Sequence, residues 1–197
     1  IQNGIDDIMT GKTYTWENPV VQAGIAVVDV ETGEVVAIGA GRNQEEQKRG
    51  FNYATQAKKH PGSTAKPFIY AFAIDQLNLT PCHPVPNLPV TIETPAGPWE
   101  PKEAGSNVQY TGTHPLYWGL ANSRNNYSAW IMKHAKRPEA VADFIHDIGI
   151  KSYIDPVVSL CIGSYDSNPY EMASAYCTFA NEGVRVDPIF VTRIEDS

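Results

Sequence analysis

Cysteine is scarce in this sequence. Only Cys82, Cys161 and Cys177 occur in 197 residues. An odd number excludes a fully paired disulfide framework, none stands in a Cys-x-x-Cys pair, and no histidine lies at zinc-ligand spacing from one. Three buried or half-buried thiols, packed as small hydrophobes, are expected; a single disulfide with one thiol left over is the alternative. Lysine and arginine form no run, and the formal net charge is -7, which argues against nucleic-acid binding. No apolar stretch approaches the roughly 18 residues of a membrane span. A signal-peptide pattern and an initiator methionine are also lacking. Ile1 therefore reads as a processing or artificial boundary, and the lack of an anchor says little about a longer parent.

What is present suits a globular chain. Apolar residues make up 42% and charged residues 19%, with length enough for one large domain or two small ones. Residues 1–20 have no clean periodicity and read as a lead-in or linker, followed by a domain over 21–197. Gly11-Lys12-Thr13 is not a phosphate loop, because Asp6 stands where that motif needs its first glycine and no strand precedes it.

The segment "QAGIAVVDVETGEVVAIGAG" holds two β-branched runs around Glu31-Thr32-Gly33, with glycine where a turn wants positive φ. It predicts an antiparallel hairpin, about 23–30 and 34–40, followed by a polar loop, "RNQEEQKRG". From Pro61 a helix is expected, with Ile69, Phe72, Ala73 and Leu77 on one face and Pro67 near its first turn. Residues 80–112 are rich in Pro, Gly, Thr and Asn and hold one strand candidate, 90–93. A connection this long reads as a functional or covering lobe. A helix over 114–121 capped by Thr113 is predicted, then "SRNN" as a loop, then helices over "YSAWIMKHA" and "RPEAVADFIHDIGI". "NPYEMASAYCTFANEGV" carries Asn168 as cap, Pro169 at the first position, Glu171 in a capping-box pattern and Gly183 as terminator. "DPIFVTRIED" reads as the start of a further strand. The expected fold is α/β, an antiparallel sheet backed by a helical subdomain.

The candidate chemistry lies in "HPGSTAKPFIYAFAI". Ser63 and Lys66, three apart on a helix, share a face. A serine hydroxyl needs an adjacent base to act as a nucleophile, and a lysine becomes that base when its pKa falls. The N–H groups of a helix start supply positive potential and can hold an oxyanion. Gly62 would allow a substrate close to the backbone. Alone, the pair proves little: Ser-x-x-Lys arises by chance about once in a chain of this length, and serine is a common cap. Sixty residues on, Ser123-Arg124-Asn125 in a loop would point Ser123 and Asn125 into one cleft, with Arg124 turned away. A second hydroxyl there can relay a proton, and a carboxamide can hold an amide by donor and acceptor.

"PGSTAKPF", "SRN" and "NPYEMASAYCTFANEGVRVDPIFVTRIED", in this order, resemble the transpeptidase domain of the penicillin-binding proteins, of the bifunctional class A type and the serine β-lactamase-like superfamily. The hairpin is similar to that family's first two strands. The resemblance implies a peptidoglycan D,D-transpeptidase working through an acyl-serine, with Ser63 as nucleophile, Lys66 as base, Ser123 as proton relay, and Asn125 and Gly62 on the substrate side. It implies no metal and no cofactor. Its partners would be peptidoglycan stem peptides, with β-lactams as covalent inhibitors. It also implies an extracytoplasmic location, with membrane attachment through other parts of a full-length parent.

One family feature is missing. Lys-Thr-Gly, expected after the second box, does not occur; Lys12-Thr13 is followed by Tyr14 and precedes both boxes. The expectation is a fragment ending before its C-terminal strands, lacking part of the carboxylate pocket and oxyanion hole and exposing a sheet edge. Three other readings stand beside it: a serine β-lactamase or D,D-carboxypeptidase passing the acyl group to water, a non-enzymatic β-lactam sensor or peptidoglycan-binding module, and an inactive remnant. Trp99, Tyr110, Tyr117 and Trp118 are read mainly as packing residues.

Overall fold

The computed structural model of the chain describes residues 22–41, 50–104 and 108–195. The expected lead-in over 1–20, with its Gly11–Thr13 tripeptide, and most of the polar loop (42–49) lie outside the described residues. The described residues form two compact units, one drawn from 1–59, 148–151 and 167–197 and the other from 60–147 and 152–166.

The first unit is built on the expected hairpin. Strand β1 (Ile25–Val28) pairs antiparallel with β2 (Val35–Gly39), in the register Ile25 to Gly39 and Val27 to Ala37. A bulge follows Val27, and Val36 is exposed there. Asp29 organises the turn: its Oδ1 accepts from the N–H groups of Glu31 and Thr32 at 3.1 and 2.8 Å. Helix α5 (Pro169–Ala180) packs on β1. Asn168 caps it, Oδ1 accepting from Glu171 N at 2.9 Å. The capping box is only half built, because the Glu171 carboxylate accepts from Ser167 Oγ at 3.2 Å.

The strand expected from Asp187 shrinks to one parallel bridge. Ile189 O accepts from Val35 N at 2.9 Å and Ile189 N donates to Gly33 O at 2.8 Å. Pro188 has no N–H to extend a ladder, and beyond the bridge Phe190, Val191 and Ile194 are exposed.

The second unit carries the candidate site. A 3₁₀ turn (Gly62–Ala65) leads into α1 (Lys66–Asp75). Strand β3 (Pro84–Pro86) pairs with β6 (Thr113–Pro115), and β4 (Ile92–Thr94) with β5 (Gly97–Trp99). Helices α2 (Leu116–Ala121), α3 (Asn125–Ala135) and α4 (Pro138–Ile148) follow, then a 3₁₀ turn at Val158–Ile162. Of the expected apolar face, Ile69 and Ala73 are fully covered and Phe72 nearly so, with Phe68 buried beside them, while Leu77 lies beyond the end of α1 and is only half-buried. Helix α1 packs on α3, whose Tyr127, Ile131 and Met132 are buried, and the Phe72 ring stands edge-on to Phe144 of α4 at 5.6 Å. Each such side chain contributes roughly 1.5–3 kcal/mol on burial. Helix α2 approaches α3 so closely that a Cβ at Gly119 would lie 2.2 Å from the Tyr127 ring.

Three expectations need correction here. Thr113 caps no helix: 113–115 is strand, because a residue before proline is driven out of the α region, and α2 starts after Pro115. The strand candidate at 90–93 lies two residues later, at Ile92–Thr94. All three cysteines are free, but Cys82 is exposed; Cys161 is buried and Cys177 half-buried. The architecture is α/β, with small antiparallel sheets and a helical subdomain.

Candidate active site

Ser63 sits on the 3₁₀ turn, one step ahead of α1, not on the α-helix expected from Pro61. Its side chain is exposed. Two glycines make the turn possible. Gly62 has φ +56°, which glycine adopts without strain, and open space where a side chain would stand. Gly163, φ +78°, lies against it; Gly62 N donates to Gly163 O at 3.2 Å. A Cβ at Gly163 would lie 2.1 Å from Gly62 O. The stretch Cys161–Ser164 thus backs the turn that presents Ser63.

Lys66, the first residue of α1, is almost completely buried, at 1% exposure. Its Nζ donates to Ser123 Oγ at 3.0 Å and to the Ser123 carbonyl oxygen. Among the described residues its hydrogen bonds run to Ser123, not to Ser63. Burial is the main cause that holds Lys66 below the ordinary lysine value, and the Arg124 guanidinium pushes the same way. Glu103 and the Cys161 sulfur oppose it. Ser123 is exposed and has φ +51°, a left-handed conformation costly for a serine and met at functional turns. That conformation turns both of its oxygens toward Lys66.

The residues after Ser123 depart from expectation. Asn125 is not in a loop but begins α3. Its Nδ2 donates to Lys102 O at 2.7 Å. Arg124 is not turned away: its side chain is 12% exposed, with Nε 3.9 Å from Glu103 Oε1 and 3.3 Å from Asn126 Oδ1, and Nη2 3.2 Å from Asn87 Oδ1. The long segment before it supplies Asn87 and Glu103, and α3 supplies Asn126.

Asn87, Glu103 and Asn126 went unrecognised in the sequence. Asn87 is 2% exposed; Nδ2 donates to Gln109 O and Thr111 O at 3.2 and 3.3 Å, and Oδ1 accepts from Arg124 and from Asn126 Nδ2. Glu103 accepts from Asn125 N at 3.0 Å and Asn126 N at 2.6 Å. The doubled asparagine of "SRNN" was the one signal available: a second buried carboxamide implies a network.

Chemically, the structure presents an exposed hydroxyl, Ser63, on a helix-start turn beside Gly62, and a buried amine, Lys66, tied to the Ser123 hydroxyl. Asn125 follows within the same turn, its Nδ2 engaged by Lys102. Among the described residues no group of histidine, cysteine and carboxylate side chains could hold a metal.

The family model for the penicillin binding protein transpeptidase domain matches residues 23–197. Penicillin-binding protein 1A/1B of Bacillus subtilis is 34% identical over 98% of this chain and 21% of its own length. Penicillin-binding protein 1A of Haemophilus influenzae, solved by crystallography, superposes with a TM-score of 0.80 at 30% identity, covering 93% of this chain and 27% of that one. The PonA1 protein of Mycobacterium tuberculosis in complex with penicillin V gives 0.73 at 24% identity, over 94% and 50%, a likeness of fold. The chain thus spans about a fifth of the length of that curated relative. With most of its length matched, the chain belongs to the penicillin-binding protein transpeptidase domain family.

Proposed function

We propose that this chain carries the acyl-transfer site of a peptidoglycan D,D-transpeptidase. The observation that supports it most is the buried Lys66 amine held on Ser123 Oγ at 3.0 Å, directly after the turn that exposes Ser63. Burial favours the free amine, the form a base needs.

In the proposed reaction Ser63 Oγ attacks the carbonyl of the penultimate D-Ala, and Lys66 takes the hydroxyl proton. The Ser63 N–H, at the start of a helix, helps to hold the oxyanion. The C–N bond to the terminal D-Ala breaks, and that amine receives a proton passed from Lys66 through Ser123 Oγ. An ester on Ser63 remains. The amine of a second stem attacks it, a new amide forms, and Ser63 recovers its proton. Asn125 gives its Nδ2 to Lys102, so its Oδ1 is the group we assign to the substrate's acyl-side N–H. Nothing in this sequence of steps calls for a metal or organic cofactor.

Stem peptides ending in D-Ala-D-Ala are the proposed substrates. β-Lactams, which mimic that terminus, are the proposed covalent inhibitors; one fold neighbour was captured with penicillin V. We place the site outside the cytoplasm, where peptidoglycan is assembled. Among the described residues no helix is long and apolar enough to cross a membrane.

A stem pentapeptide with an added amine acceptor tests the reading. D-Ala and cross-linked product should both appear with wild type and neither with Ser63→Ala. D-Ala without cross-linked product would mark a carboxypeptidase, fast penicillin turnover a β-lactamase, and equal product from Ser63→Ala would remove Ser63 as nucleophile.

A further inference from the structure

Glu103 does two things at this site that pull in opposite directions. Its side chain is 6% exposed, and both carboxylate oxygens are engaged at the start of α3. Oε2 accepts from Asn125 N, while Oε1 accepts from Asn126 N and faces Arg124 Nε at 3.9 Å. A carboxylate at a helix start satisfies N–H groups that lack intrahelical partners and complements the helix dipole. This helix start follows Ser123 with only the cap residue, Arg124, between them. Fixing it fixes the left-handed Ser123 turn, and with it the two oxygens that hold Lys66.

The surroundings of Lys66 contain few charges. Glu103 and Arg124 stand on the Ser123 side, Cys161 comes from the Val158–Ile162 turn, and Tyr70 lies one helical turn further along α1. Burial pushes the Cys161 thiol up to about 12 and the Tyr70 phenol far above its ordinary value, so both stay neutral. Of these groups among the described residues, Arg124 and Glu103 keep a formal charge. Arg124 favours the free amine of Lys66, and Glu103 favours the ammonium.

We propose that Glu103 is a positioning residue that clamps the Ser123 turn through its hydrogen bonds and, through its charge, sets the pH at which Lys66 becomes a base. This rests on the assignment of Lys66 as the base made above. The sign follows directly: a nearby anion stabilises an ammonium, so deleting the anion lowers the Lys66 midpoint. At any pH below both midpoints, each unit of that fall means about tenfold more free amine. The clamp therefore comes at the expense of free amine at a given pH, and neutralising Glu103 moves the alkaline rise of acylation to lower pH.

The test is a direct titration of Lys66 by NMR in the full chain, labelled at lysine Nζ and Cε and assigned with Lys66→Arg. The titration reads the amine whether or not Ser63 reacts, so failure of this proposal and failure of the transpeptidase reading are distinguishable. Glu103→Gln keeps an acceptor and loses the charge; its Lys66 midpoint should fall. Glu103→Asp, with the charge one methylene further back, should give a smaller fall of the same sign, and it carries the test if the Gln variant does not fold. Glu100→Gln, a carboxylate bonded to Thr91 Oγ1 and outside the Arg124 network, should leave the midpoint in place. An unmoved or raised midpoint in folded Glu103→Gln or Glu103→Asp, or an equal fall in Glu100→Gln, overturns the proposal.

Discussion

Replacing Gly163 by alanine tests the backing of the Ser63 turn. The perturbation has two parts. A left-handed φ of +78° at a residue with a Cβ costs about 1–2 kcal/mol. The new Cβ would lie 2.1 Å from Gly62 O, where ordinary contact begins at 3.4 Å, so the two segments must part by about 1 Å. That movement loses the Gly62 N–H to Gly163 O hydrogen bond, contributing about a further 1 kcal/mol. The expected loss is about 2–3 kcal/mol, read as a fall in Tm of roughly 4–12 °C for a domain of this size. Gly62→Ala is the matched control: its φ of +56° carries the conformational cost, but its Cβ meets nothing within 4 Å. It should lose about 1–2 kcal/mol. Function separates the two further, because Gly163→Ala moves Ser63 relative to Lys66, and a displacement of ~1 Å can cost on the order of 100-fold in rate. Thermal unfolding by circular dichroism and the rate of β-lactam acylation are the assays. Equal Tm values for the two variants, with Gly163→Ala acylating at the wild-type rate, would refute the reasoning.

Lys66→Met removes a buried amine whose midpoint lies below the 10.5 of an ordinary lysine. Between those two values the unfolded chain binds more protons than the folded one, so wild-type stability rises with pH across that window. Chemical denaturation should find Lys66→Met at least as stable as wild type near neutrality, with the difference closing toward pH 10.5; a pH-independent difference contradicts this. Asn87→Leu removes the donor to the Gln109 and Thr111 carbonyls and strands the half-buried to buried donors of Arg124 and Asn126. Urea unfolding should show a loss of about 3 kcal/mol or more, against under 1 kcal/mol if the network is idle. With a disulfide reagent at pH 8, exposed Cys82 should react first and buried Cys161 only on unfolding; early labelling of Cys161, followed by peptide mapping, would contradict its place in the core.

Elements with strong local signals were legible in the sequence. The hairpin around Glu31–Gly33 and the Asn168-capped helix carry their instructions within a few residues, and both form where expected. The apolar face of α1 was equally plain. Failures came where a neighbour overruled the local pattern. Pro115 turned a supposed Thr113 cap into strand, and Pro188 reduced a supposed strand to a bridge at Ile189. At the site, Ser63 and Lys66 stood out by their spacing and Ser123 as a companion motif, although the Lys66 amine bonds Ser123 and not Ser63. What holds them was not. Gly163 lies about a hundred residues from Gly62 and touches it only in space. Asn87 and Glu103 come from a Pro-rich segment with no periodicity to mark them, and their partners are set by tertiary folding alone.

The central claim is that Ser63 is the nucleophile. Mass spectrometry of the chain after incubation with a penicillin, with peptide mapping, tests it most directly. The prediction is one adduct per chain, on the peptide containing Ser63, lost in Ser63→Ala and strongly slowed in Lys66→Met. An adduct on any other residue, equal labelling of Ser63→Ala, or a folded wild type that takes up no penicillin would contradict it.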